Sequence, residues 1–381
     1  MASLRTVHVV SAGMIRFAKY AERSLAELGQ EAVLRCLKQS DVPRSRIQAA
    51  YCGTATGGML AGQRILRDLG LTGIPIVNVE NACSAGSAAF REAWIAIAAG
   101  LYDVALVIGV EKLTRFGGGT IPLETEDFEV GQGMVMPALY AMRARRYMHD
   151  FDITAGDLAL VMVKNRKFGA LNAFAQYQKP VTVEEIRNAR MIAEPFTLLH
   201  CCPTGDGAAA VILCSDQVVK QFTTRSIRVL GSHLTSGVMI SQRDMTSPEI
   251  TVRCARELYE ESGIGPEDID VAEVHDAFTI AEIMYYEALG FAPHGEGIGL
   301  LKDGQTGNGG RIPVNPSGGL LSKGHPLGAT GIAQIVEAFW QLRGEAGARQ
   351  VSGATVALTH TTGGGISGLD HGACTIHIFT R

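Results

Sequence analysis

Asn81–Lys112 reads NACSAGSAAFREAWIAIAAGLYDVALVIGVEK: a turn, an alanine-rich helix and a β-rich run. Ala82, Ser84, Ala85, Gly86 and Ser87 surround Cys83 with small side chains, so a substrate has room to approach it. The residues that follow, roughly 84–99, have high helix propensity. Cys83 is therefore expected at a helix N-terminus, where unpaired N–H groups and the helix dipole favour a thiolate. The competing reading is a small hydrophobe buried in the core.

The same order recurs downstream. GHPLGATGIAQIVEAFWQLRGE, from Gly324, and then ATVALTHTTGGG give another turn, helix and strand. A second pair supports the repeat. LGQEAVLRCLKQSDVPRSRIQAAYCG, from Leu28, matches ITVRCARELYEESGIGPEDIDVAEVHD, from Ile250. Each is a helix, a break at Pro43 or Pro266, an isoleucine (Ile47 or Ile269) and a β-rich run. The chain reads as two copies of one layered α/β unit. In such a pair the turns leading into the helices face one crevice, where ligands favour strand ends and helix N-termini.

Between the copies, residues 116–200 read as an insertion, after which CCPTGDGAAAVILCS completes the first copy. A loop this long is more often functional than idle. Its Met134, Met136, Met142 and Met148 read as core filling. The expected organisation is a first half of residues 1–115 and 201–224, a loop domain of 116–200 and a second half of 225–381.

Composition removes several classes. The 381 residues, 46% of them hydrophobic, suit two or three packed units. A net charge of −4 without a basic run asks for neither nucleic acid nor an anionic membrane surface. The eight cysteines form no CxxC pair, and the N-terminus lacks a signal-peptide core. Free thiols in a reducing, cytoplasmic setting are expected. No apolar run is long enough to span a membrane. The 45 glycines cluster in GG and GGG runs, which suits backbone lying close to ligands.

Three glycine-rich stretches of the second copy carry histidines: EVHDAFT with His275, NPSGGLLSKGHPLGATG with His325, and LTHTTGGGISG with His360. If they converge on Cys83, a cysteine with a histidine base suits acyl transfer, with backbone N–H groups holding the oxyanion. His275 also reads as an interior histidine bonded to Asp276, and His325 as a helix cap. His233, His294, His371 and His377 have no neighbours that single them out. No two histidines stand at zinc-binding spacing, so no metal is expected.

These motifs resemble those of the thiolase superfamily. NACSAGS is similar to its nucleophilic-cysteine motif, and NPSGGLLSKGHPLGATG to its GHP motif. EVHDAFT resembles the HDCF motif of the sterol-carrier-protein-type members, and GDGAAAVIL the strand that closes the first half. The resemblance spans essentially the whole chain. It implies a duplicated five-layered αβαβα fold with an inserted loop domain, a homodimer or dimer of dimers, and coenzyme A thioesters as substrates, with no permanently bound cofactor. By the same resemblance Cys83 accepts the acyl group and His325 activates it. His275 and His325 hold a water in one oxyanion hole, and the N–H groups of Cys83 and Gly363 form the other. Ser317 and Lys323, near the GHP turn, are candidate phosphopantetheine contacts.

Two departures stand out. Thr361 occupies the place of the acid/base cysteine of ordinary thiolases, and Ala277 that of the sterol-carrier type. Neither replaces a thiol near pH 7. Acylation is expected to be intact and ordinary Claisen condensation impaired. The HDAF pattern resembles a bacterial and archaeal group of acetyl-CoA acetyltransferase-like or lipid-transfer-type proteins. Some of these work with a small OB-fold partner carrying a zinc ribbon. The alternative function is a non-catalytic or retro-aldolase-type subunit that binds acyl-CoA with such a partner; retention of Cys83 argues against the aldolase form.

Overall fold

The computed structural model describes residues 4–222, 225–239, 243–368 and 370–381. The first copy contains β1 (Val7–Met14), α1 (Leu25–Lys38), β2 (Ala49–Gly53), α2 (Ala61–Arg67), β3 (Ile76–Val79), α3 (Ala85–Ala98) and β4 (Val104–Lys112). The insertion carries α4 (Met136–Phe151) and α5 (Ala155–Gly169), and β5 (Asp206–Ser215) follows it. The second copy contains β6 (Ile227–Thr235), α6 (Glu249–Ser262), β7 (Val271–Glu273), α7 (Thr279–Ala288), α8 (Gly319–Lys323), α9 (Leu327–Arg343), β8 (Val356–Gly363) and β9 (Ala373–Thr380).

Local chemistry sets the helix ends. Ser24 and Glu27 cap α1 reciprocally, each side chain accepting from the other's amide. This pairs two N–H groups that the helix itself leaves open. At the other end, α6 stops at Gly263 in the left-handed conformation that glycine tolerates. β4 and β5 are buried almost throughout, which explains their continuous apolar runs.

The strands form one mixed sheet in the order β3-β2-β4-β5-β1-β6-β9-β8-β7. β2 runs parallel to β3 and β4, while β5 is antiparallel to β4 and β1. The second copy repeats the pattern: β7 is parallel to β8, and β9 is antiparallel to β8 and β6. Its counterpart of β3 is a single parallel bridge between Ala272 and Val314. The copies join where β1 pairs with β6 over Val7–Val9.

The sheet turns around a central helical layer. α3 packs on α9, and α9 touches β4 and β5 on one side and β8 on the other. α1 covers β1 and β5 from outside, and α6 covers β6 and β9. The five layers are therefore helix, sheet, helix, sheet, helix. Every residue of α9 from Leu327 to Leu342 is buried, as a helix in the middle layer requires. Its Glu337 is neutralised by Arg349, which donates from Nε and Nη2 at 2.9 Å each.

The insertion packs on the second copy. Tyr140, Tyr147, Met162 and Phe196 share one apolar core with residues of α6 and α7. Its methionines are not uniformly core: Met142 is 53% exposed, whereas Met136 and Met148 pack against the core. The expected limit between residues 224 and 225 adjoins residues 223 and 224, which lie outside the described residues.

The central helices meet backbone to backbone. A Cβ on Gly86 of α3 would strike the carbonyl oxygen of Gly328 in α9. A Cβ on Gly328 would lie 2.6 Å from Thr54 Cα, and one on Gly331 2.6 Å from Ser87 Cβ. Backbone atoms cannot swing aside, so an added methyl must push the helices apart. Gly86→Ala is expected to cost about 1–3 kcal/mol in denaturant unfolding. It should also slow any reaction that needs both helix N-termini, so measured stability and rate fall together.

Candidate active site

Cys83 sits in the 3₁₀ turn Ala82–Ser84 between β3 and α3. Ala82 adopts a left-handed φ of 50°, and its N–H donates to Glu80 Oε1 at 2.6 Å. A non-glycine residue held there stores strain. Cys83, Cys201 and Cys202 are partly exposed; the other five cysteines are buried.

His325 precedes Pro326 and α9. Its Nδ1 lies 2.7 Å from Thr330 Oγ1, whose hydroxyl donates to the Pro326 carbonyl at 3.0 Å. Thr330 therefore accepts from His325 Nδ1–H, which leaves Nε2 with its lone pair free as a base. His275 follows β7. Its ring stands edge-on to His325, with centroids 4.9 Å apart, and its buried Nδ1 has no partner. One ligand-type atom each from Cys83, His275 and His325 lies within 4.8 Å of the others. The structure thus brings together three of the residues singled out by sequence.

Two buried carboxylates hold this meeting point. Asp276, beside His275, accepts from the amides of Leu320 (2.7 Å) and Leu321 (3.3 Å) and from Asn165 Nδ2 (2.7 Å). It ties the His275 loop to α8 and so to the turn carrying His325. Glu111, on β4, accepts from Thr54, Ala55 and Thr56 and from the Gly328 amide at 3.2 Å. It anchors α9 to the first copy.

The electrostatics differ from the expected thiolate. Burial pushes the Cys83 thiol up to about 12, against donation from the Gly364 amide that pulls it down. Burial, with the nearby Lys323 charge, lowers His325 to about 3, and burial holds His275 well below its ordinary value. The resting pair is a neutral thiol beside neutral imidazoles. The 3₁₀ turn and helix N-terminus do not overcome desolvation.

Other candidates fall elsewhere. Gly363 ends β8, and its carbonyl accepts from Gly372 N–H at 3.0 Å. A Cβ on it would strike the Asn81 carbonyl, so glycine there serves packing. Gly364 rather than Gly363 lines the cavity and presents its amide to the thiol. Ser317 and Lys323 are buried and turned inward: Ser317 Oγ donates to Glu273 at 2.6 Å and Lys323 Nζ at 3.1 Å. They brace the loop and do not line the cavity. His360 is buried behind His275, whose amide it accepts at 3.5 Å. Thr361 Oγ1 lies 2.5 Å from Thr375 Oγ1, facing away from the cavity, while Ala277 lines it.

The three-residue cluster opens into a cavity of about 390 Å³ walled by Leu113, Ile121, Met136, Tyr140, Leu198 and Phe278. Tyr140 stacks on Phe278 at 4.5 Å. Tyr140, His371 and Cys202 also line it, and no sequence signal singles them out. His371 arrives through the β8–β9 connection and Tyr140 from the insertion. Tyr140 Oη lies 2.7 Å from His371 Nε2, His371 Nδ1 3.4 Å from Asp370 Oδ1, and Asp370 2.6 Å from Arg143 Nη1. Arg190 lies at the cavity and is exposed.

Comparison with known proteins gives a consistent picture. Residues 7–217 match the family model for a thiolase N-terminal domain, and residues 231–371 that for a thiolase C-terminal domain-like unit. The chain is 45% identical to the benzoylsuccinyl-CoA thiolase subunit BbsB of Thauera aromatica, over 97% of this chain and 98% of the relative. It is 40% identical to an acetyl-CoA acetyltransferase of Methanothermobacter thermautotrophicus, covering 99% and 100%. Among solved structures, the Ltp2-ChsH2(DUF35) aldolase superposes with a TM-score of 0.87 at 26% identity, covering 100% of this chain and 99% of that one. Human mitochondrial 3-ketoacyl-CoA thiolase in complex with CoA shares the fold, with a TM-score of 0.74 at 19% identity and coverage of 100% and 99%.

With the Cys83 thiol near 12, alkylation of the free protein by iodoacetamide should rise about tenfold per pH unit between pH 7 and 9. Peptide mapping should place the modification on partly exposed Cys83 ahead of the five buried cysteines. A rate plateau already reached near pH 7 would show a preformed thiolate–imidazolium pair instead.

Proposed function

The chain belongs to the thiolase family of acyltransferases, and on that premise we propose that it forms an acyl-enzyme on Cys83 from an acyl-CoA. The acyl group then passes to a carbon acceptor, or to coenzyme A in the thiolytic direction. The observation that carries this is the meeting of Cys83, His275 and His325 within 4.8 Å at the floor of an apolar cavity.

The neutral resting state fits the reaction. His325 Nε2 takes the Cys83 proton as sulfur attacks the thioester carbonyl, so charge develops only when substrate is bound. The Gly364 amide, which faces the thiol, and the unpartnered Nδ1 of His275 are available to the oxyanion. The cavity's size and its Tyr140 and Phe278 walls suit a bulky apolar or aromatic acyl group. The likeness to a benzoylsuccinyl-CoA thiolase subunit points the same way.

Likeness to the Ltp2-ChsH2(DUF35) aldolase favours a second reading, in which the chain works with a DUF35-type OB-fold partner. Acyl transfer with such a partner is compatible with Cys83; a retro-aldolase leaves that thiol without work. We further propose self-association through β3, an edge strand beside the nucleophile with Val77 44% exposed. Sedimentation should then give a homodimer or dimer of dimers; a stable 40.5 kDa monomer at micromolar concentration would sink this.

Intact-mass measurement after mixing with benzoyl-CoA or acetyl-CoA should show one acyl group, located on Cys83 and absent from Cys83→Ala. His325→Ala should acylate about 10²–10⁴-fold more slowly. Turnover of an acyl-CoA by Cys83→Ala at the wild-type rate would exclude the covalent route.

A further inference from the structure

Thiolytic cleavage needs an acid for the departing carbon and a base for the incoming thiol, and neither Thr361 nor Ala277 supplies one. Around the cavity the structure offers two replacements: Cys202, and the chain Tyr140, His371 and Asp370. Burial, with Cys201, Cys83 and Asp276 nearby, raises the Cys202 thiol well above its ordinary value. The other chain is organised. Tyr140 and His371 both line the cavity, and Tyr140, Arg143, Asp370 and His371 are each at least 97% buried. Tyr140 and Arg143 lie one turn apart on α4, and both reach the β8–β9 connection. Arg143 also donates from Nε to the Met245 carbonyl at 3.0 Å, which fixes its plane. Three buried polar atoms along the chain have no hydrogen-bond partner: His371 Nδ1, Asp370 Oδ2 and Arg143 Nη2. Such atoms are costly unless a function or a ligand uses them.

We infer that Tyr140, backed by His371 and Asp370, carries the proton at the substrate α-carbon in place of the missing acid/base cysteine. This rests on the acyl-transfer reading above. In the cleavage direction Cys83 Sγ bonds to the keto carbon, and the bond from that carbon to the α-carbon breaks. The electron pair stays on the α-carbon, which takes a proton from Tyr140 Oη. His371 Nε2–H refills Tyr140, leaving a neutral imidazole. The incoming coenzyme A thiol then gives its proton to Tyr140 Oη and through it to His371 Nε2. Its sulfur attacks the acyl-Cys83 carbonyl, and the released Cys83 recovers its proton from His325. All protons return to their starting places. Asp370, 3.4 Å from Nδ1, faces the charge that His371 takes up, and Arg143 keeps Asp370 ionised, well below the usual carboxylate range. Tyr140 acts on the substrate; Asp370 and Arg143 are positioning residues.

The test separates proton transfer from acylation. Benzoyl-CoA has no α-hydrogen, so its acylation of Cys83 does not use this chain. Acetyl-CoA in D₂O exchanges its methyl protons only if a base reaches the α-carbon, and that exchange does not require acylation. The base here is the chain with His371 neutral, the form left after α-carbon protonation, in which Tyr140 Oη takes the proton as its own passes to His371 Nε2. Wild-type protein should exchange deuterium into acetyl-CoA. Tyr140→Phe, which keeps the ring stacked on Phe278, and His371→Asn should each lower exchange by about 10²-fold or more, with a much smaller loss in benzoyl-CoA acylation. Cys202→Ala should keep far more exchange than either of these variants. The inference is overturned if wild-type protein exchanges no deuterium, if the two variants retain exchange, if they lose both activities equally, or if Cys202→Ala is the variant that loses exchange. Failure of benzoyl-CoA to label Cys83 in wild-type protein would instead overturn the acyl-enzyme reading, and the exchange result would still be read on its own.

Discussion

The constraint on which the site depends is the approach of α3 and α9, where Gly86 meets the Gly328 carbonyl. Each helix begins beside a candidate site residue, Cys83 in one copy and His325 in the other, and the two meet with His275 within 4.8 Å. Glu111 reinforces the approach by accepting the Gly328 amide on a carboxylate rooted in β4. Asp276 does the same within the second copy, holding α8 by its first amides. Both side chains accept backbone N–H groups where water cannot compete, and burial with the neighbouring Glu282 raises the Asp276 carboxyl well above its ordinary value. The site is therefore an outcome of the duplicated architecture and not of a local loop.

Burial that makes this geometry rigid also sets the charge state. A thiol at about 12 beside a histidine at about 3 is a poor spontaneous ion pair. Proton transfer between them becomes favourable only when the sulfur's charge passes to a substrate oxygen held by N–H donors.

Much of this was legible in the sequence, and the reasons differ by residue. Cys83 stood out because small side chains crowd it, and His325 because its turn repeats the one at Cys83. The repeat itself followed from helix-break-strand order, since Ile47 and Ile269 enter corresponding strands β2 and β7. Residue-level detail was lost where one position decides direction. Along β8, Thr361 faces Thr375 while Thr362 reaches the cavity, an alternation that a GGG run does not display. Ser317 and Lys323 lie near the GHP turn in sequence, yet Glu273 draws both inward. The depressed thiol acidity was invisible because desolvation depends on the whole cavity. His371 and Tyr140 lie 231 residues apart, and nothing local marks either one.

That separation bears on the role of the insertion. α4 joins the core of the second copy and at the same time places Tyr140 on the cavity wall. Tyr140 stacks on Phe278, the residue immediately after Ala277, and Tyr140 and Ala277 both line the cavity. The same ring contributes apolar area to the acyl pocket and a hydroxyl to the polar chain ending at Arg143. Acyl-group size and proton chemistry are therefore coupled through one side chain. A larger acyl group that displaced the Tyr140 ring would also break its 2.7 Å contact with His371.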